Sequence, residues 1–140
     1  MRRYVLLLVC AAFILGSGAC TVYTNNTTKG TVLSDGSVYL GFDLVSRKRG
    51  DSWTLIGEEH GYFSSLRFQV EDRPLNLDRM VVEFGDGEQW TAPAKGNFEP
   101  GAWSDEMKLP APKTIHKVTY YGKSSGKKGG MAKVSLYGRR

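Results

Sequence analysis

The chain has 140 residues, 41% of them hydrophobic, which suits one domain with a real core and excludes two. Nineteen basic residues against fourteen acidic ones give a formal net charge of +5, a balance that by itself argues neither for nor against nucleic acid, and no nucleic-acid partner is expected. Seventeen glycines, three tryptophans and seven tyrosines, spread over many short segments, point away from a helical protein and towards an all-β one.

The first residues read as a targeting signal. Arg2 and Arg3 form a positive start, Tyr4 to Leu15 is a continuous apolar run, and Gly16-Ser17-Gly18-Ala19 is a small-residue cleavage region. The run is shorter than the roughly 20 residues that a membrane-spanning helix needs. Residues 1–19 are therefore expected to be a signal peptide, and the mature chain to be exported to the cell envelope or periplasm. Cys20 follows directly, and this arrangement resembles the bacterial lipobox, in which the cysteine is acylated and becomes the mature N-terminus. Ser17 stands where that pattern has an aliphatic residue, so ordinary cleavage leaving a free thiol is the alternative. Lipidation at Cys20 is the expectation carried forward, which makes the membrane a partner. The other cysteine, Cys10, lies in the leader, so the mature domain has no internal disulfide and is held by packing. Setting aside Arg2 and Arg3 lowers the net charge to +3.

Thr21 to Gly30 is polar and glycine-terminated, and residues 20–30 read as a flexible tether to a domain spanning 31–140. From Val38 a period-two pattern sets Val38, Leu40, Phe42 and Leu44 on one face. Arg47-Lys48-Arg49-Gly50-Asp51 is a charged turn, Trp53 begins a short strand, and Glu58 to Gly61 turns the chain again. The strands either side of these turns are expected to pair with each other. Leu66, Phe68 and Val70 alternate with Arg67, Gln69 and Glu71. Met80, Val82 and Phe84 repeat the pattern and close on the hairpin turn Gly85-Asp86-Gly87. Glu88 to Ala92 returns from that turn. Pro93 to Ser104 reads as a long loop or very short edge strands, and Met107 to Leu109 as a brief strand stopped by Pro110-Ala111-Pro112. A long strand from Lys113 to Gly122, a glycine-rich loop from Ser124 to Gly130 and a last strand from Met131 to Tyr137 complete the chain. About eight strands at this spacing predict a single antiparallel β-sandwich or jelly-roll-like domain.

Several landmarks, in order, resemble a family of exported bacterial small β-sandwich proteins known as a domain of unknown function. They are LGFDLV from Leu40, G-Y-F-x-x-L-R-F-x-V from Gly61, V-V-E-F-G-D-G-E from Val81, G-x-W-S from Gly101, K-L-P from Lys108, I-H-K-V-T-Y-Y from Ile115 and the closing A-K-V-S-L-Y-G-R. The resemblance implies a small envelope β-sandwich and carries over no catalytic residue.

The candidate sites are few. His60 and His116 have no metal-ligand spacing, and Glu58-Glu59-His60 reads as a solvated turn. Asp86 and Glu88 sit in one short turn, which supplies too few oxygens for calcium. No nucleophile elbow is present, so no enzyme, metal or cofactor is expected. Lys123, Lys127, Lys128 and Lys133, joined by Arg139 and Arg140, form a candidate contact for a polyanion such as anionic lipid. Trp90, after a turn, and Trp103, in the proline-glycine loop, are candidates for stacking a sugar, with Trp53 less exposed. The expectation is a non-enzymatic binding or structural module whose partner is an envelope protein, a glycan or anionic lipid. A carbohydrate-binding module built on Trp90 and Trp103, and a small hydrolase with an unrecognised site, are the alternatives.

Overall fold

The computed structural model describes residues 31–126 and 129–140. The leader, Cys20, the tether, Lys127 and Lys128 lie outside the described residues. Eight strands run in the order β1 (Val38–Val45), β2 (Gly50–Leu55), β3 (Tyr62–Glu71), β4 (Leu75–Phe84), β5 (Gln89–Ala92), β6 (Gly96–Phe98), β7 (Met107–Ser124) and β8 (Ala132–Arg139). A single 3-10 turn, Glu58–His60, is the one helical element among the described residues. The domain is all-β and antiparallel, as its alternation requires.

The strands form one curled sheet ordered β1-β8-β3-β7-β4-β5, with β2 also on β7 and β6 also on β4. The eighteen-residue β7 makes the curl. Its first part pairs with β3, and its second part with β4 on one side and β2 on the other. One half of the sheet is thus β1-β8-β3 and the other β2-β7-β4-β5. Their apolar faces meet in one core, where the Phe68 ring of β3 lies 5.0 Å from Phe98 of β6 and 6.5 Å from Tyr120 of β7. Edge-on aromatic contacts at these distances add to the area that the rings bury.

Four departures from the sequence expectation have local causes. Neighbours in sequence do not pair at the start of the chain: β1 lies on β8, β2 on β7, and β3 between β7 and β8. Secondly, β1 changes face halfway. Gly41 sits at φ 136°, which glycine tolerates, and the ladder to β8 slips between Tyr39 and Gly41. Val38 and Leu40 therefore point inward, Phe42 and Leu44 are exposed, and Asp43 shares the inward face with Val45. Thirdly, β4 begins at Leu75, not Met80. A bulge between Leu77 and Arg79 puts Asp78 and Arg79 side by side in solvent, which hides from the alternation that Leu75 and Leu77 belong to the same buried face as Met80. Finally, Pro110-Ala111-Pro112 does not stop β7. The ladder to β3 jumps from Phe63↔Lys113 to Ser65↔Lys108, so the prolines occupy an exposed bulge in which a missing N–H costs no ladder bond.

The hairpin turn after β4 forms as expected, with Gly87 at φ 87° and its N–H donating to the Phe84 carbonyl at 3.0 Å. Gly122 is required for a different reason. A Cβ there would strike the Asn76 backbone carbonyl, because β4 passes very close to β7 at its bulge.

Candidate functional site

Strand directions bring three turns to one end of the sheet. They are the β1–β2 turn at 46–49, the β3–β4 turn at 72–74 and the β7–β8 loop at 125–131. Backbone hydrogen bonds tie them together: the Ser124 N–H donates to the Ser46 carbonyl at 2.8 Å, and the Ser125 N–H to the Pro74 carbonyl at 2.8 Å. The Ser124 hydroxyl donates to the Gly130 carbonyl at 2.8 Å and closes the glycine-rich loop on itself. Asp72 takes φ 67°, a left-handed conformation that aspartate tolerates better than most residues and that a sharp crossing between the two halves requires.

This end is basic. Arg47, Lys48 and Arg49 stand on the first turn and Arg73 on the second, with Lys123 and Lys133 on the flanking strand ends. Gly129 lies against the Arg47 guanidinium and Gly130 against Arg73, so the third loop packs beside the cations of the other two. Arg49 is held by Asp78, and its Nη2 donates to Asn76 Oδ1 at 2.9 Å. Lys133 pairs with Glu71 at 3.2 Å and lies 5.1 Å from the centre of the Phe42 ring. The Ser135 hydroxyl, donating to Glu71, and then Lys133 hold that carboxyl below its usual range, while Glu71 raises the lysine. Arg47, Lys48, Arg73 and Lys123 have no acidic partner within ion-pairing distance among the described residues. Leu44 and Met131, exposed at the same end, put apolar side chains beside these cations.

Sequence order had grouped Lys123 and Lys133 with Arg139 and Arg140. The structure keeps the first two together and separates the others, because β8 carries Arg139 about 20 Å from Lys133. At that far end Arg139 pairs with Glu106 at 3.4 Å and Asp35 at 3.8 Å, and Arg140 Nη2 donates to the His60 carbonyl at 3.1 Å. Arg47, Lys48, Arg49 and Arg73 were missed as site residues. The run from Arg47 to Arg49 was visible, but nothing local says that its turn lies beside a loop some eighty residues later.

The two candidate tryptophans do not form a platform. Trp90 pairs with Val82 on β4 and packs its ring against the core. Trp103, 42% exposed, lies on the outer face of the other half, 5.0 Å from the Tyr137 ring and under Arg67 at 4.5 Å. Trp53, expected to be the least exposed of the three, is 53% exposed. Asp86 and Glu88 share the ammonium of Lys113, which sits 2.9 Å from Asp86 Oδ2; the lysine holds the Asp86 carboxyl below its usual range. His60 ends the 3-10 turn, and His116 is exposed on β7.

A family model described as a domain of unknown function (DUF2541) matches residues 6–138, and the chain belongs to that family. No curated protein and no solved structure matches the chain.

Proposed function

We propose that this family member is an exported, lipid-anchored envelope protein that works by binding and not by catalysis, and that its basic end engages the anionic headgroups of a lipid surface. One observation carries the reading: three turns distant in sequence are tied together so that four cations without acidic partners crowd one end, with Leu44 and Met131 beside them. Lys127 and Lys128 belong to the same loop in sequence and add to its charge. Crowding like charges is unfavourable in the free protein, and an anionic surface relieves it.

The leader and Cys20 supply the anchor in this reading. The family match begins at residue 6, inside the apolar run. Thr31 accepts a hydrogen bond from the Tyr39 N–H at 2.9 Å, which places the start of the domain at the opposite end of β1 from the basic turns. β1 is about 23 Å long at about 3.3 Å per residue. The ten residues from Thr21 to Gly30 reach at most about 35 Å. The tether is therefore long enough for the basic end to meet the membrane that holds Cys20.

Intact mass of the membrane fraction tests the anchor: a diacylglyceryl and acyl addition on Cys20 is expected, and an unmodified soluble chain overturns it. Sedimentation of the Cys20→Ser protein with vesicles tests the surface. Binding to phosphatidylglycerol vesicles that is lost in high salt, with none to pure phosphatidylcholine, is expected; equal binding to both lipids refutes the electrostatic reading.

A further inference from the structure

A second site lies on the outer face of the β2-β7-β4-β5 half, away from the basic turns, and the strand register builds it. Trp53, Thr119, Val81 and Thr91 fall in one row across the four strands. Three of these four are small β-branched residues, so the row forms a floor. The row on one side carries the longer Lys117, Glu83 and Gln89, and the row on the other carries Tyr121 and Arg79. A trough of about 220 Å³ results over β7, β4 and β5, and Trp53 stands on β2 in line with its floor row, just outside its lining. Its three strands, spaced by about 4.8 Å, give it a length of roughly 10 Å, and the row extended to Trp53 runs roughly 14 Å, the scale of a short oligosaccharide.

The wall charges already answer one another. Lys117 Nζ lies 3.8 Å from Glu83, and the Arg79 guanidinium lies 4.1 Å over the Tyr121 ring. A charged ligand would have to break these contacts, whereas hydroxyl groups can add to them. Thr91, Thr119 and Gln89 offer both donors and acceptors, Glu83 accepts and Lys117 donates, an alternation that matches vicinal hydroxyls. Trp53 adds an exposed ring against which the apolar face of a sugar can stack. We infer that this trough binds a short neutral oligosaccharide, laid across β7 and β4 with one end against Trp53.

Calorimetric titration of the full mature chain with maltotriose, cellotriose and chitotriose tests the assignment. At least one is expected to bind. Thr91 is exposed on an edge strand, so Thr91→Trp fills the trough without touching the core, and it should weaken binding at least tenfold. Trp53→Ala should do the same, while Trp103→Ala, on the other half, leaves binding unchanged. Circular dichroism of each variant confirms that the fold persists. Failure of all three sugars at millimolar concentration overturns the proposal, as does binding that survives Thr91→Trp or that disappears with Trp103→Ala.

Discussion

Arg67, on the outer face of the central strand β3, and Arg47, on the β1–β2 turn, belong to the same sheet, yet their surroundings differ. Arg67 is gripped by Asp35, lies over the Trp103 ring and faces a carboxylate that is itself ordered. Asp35 accepts from the Ser37 hydroxyl and from the Ser37 N–H at 3.0 Å. These bonds, more than the charges of Arg67 and Arg139, hold its pKa at about 2. Arg47 has a glycine loop beside it and no acid within ion-pairing distance among the described residues. At Arg67's end, charge is spent on holding loops to the sheet. At Arg47's end it is not spent in this way. Net charge alone, mild for the whole chain, conceals this division.

The comparison breaks most visibly if the unpaired cations are removed. Near an anionic surface each contributes about 1 kcal/mol, so the triple change Arg47→Ser, Lys48→Ser, Arg73→Ser should cost about 3 kcal/mol, or roughly a hundredfold in partition to phosphatidylglycerol vesicles. Thermal stability should hardly change, and a large fall in Tm would instead make these residues structural. Next in size is Gly122→Ala, which changes no charge but forces β7 away from the Asn76 carbonyl beneath the basic end. Overpacking of this kind costs about 1–3 kcal/mol, measurable as a shift in the midpoint of urea unfolding.

A smaller effect is expected at the paired end. Lys113→Met leaves Asp86 and Glu88 facing each other, and should lower Tm modestly while vesicle binding stays as it was. Acid should weaken chiefly the paired end, which holds Asp35 and Asp86, while the basic end holds Glu71. Asp35 and Asp86 are held below their ordinary pKa, so their contribution is present above about pH 4 and fades as pH falls through the lowered values.

The smallest effect has the opposite sign. Burial pushes the Asp43 carboxyl up, and its Oδ2 is buried without a hydrogen-bond partner. The folded chain therefore favours the protonated form, and stability declines as pH rises from the ordinary carboxyl value through the raised one. Asp43→Asn should raise Tm slightly at pH 7 and leave it nearly unchanged near pH 3; a loss at pH 7 would mean that the ionised carboxylate is needed.

Alternation revealed the strands wherever it ran unbroken, as from Leu66 to Val70 and from Met80 to Phe84. It failed at Gly41, at Asp78-Arg79 and at Pro110 to Pro112 for one physical reason. A bulge inserts a residue and resets the phase, and a reader of the sequence sees either the wrong face or the end of a strand. The candidate site was half legible. Lys123 and Lys133 flank one loop and could be grouped by eye, whereas Arg47 and Arg73 join them only because β7 reaches both β2 and β4. Trp90 looked exposed because it follows a turn, but its register with Val82 turns the ring inward. Pairing order is a property of the whole sheet, and no local window contains it.

That pairing order also sets when the domain can form. β2 and β3 have no ladder partner until β7 is made, and β1 has none until β8 is made. Before β7 emerges, the hairpin of β4 with β5 and β6 is the only ladder between named strands on offer among the described residues. Short hairpins of this kind are marginal by themselves. A growing chain of this topology stays largely unfolded until β7 emerges. Such a chain can be threaded extended through a narrow channel, and its fold closes only when its C-terminal strand arrives.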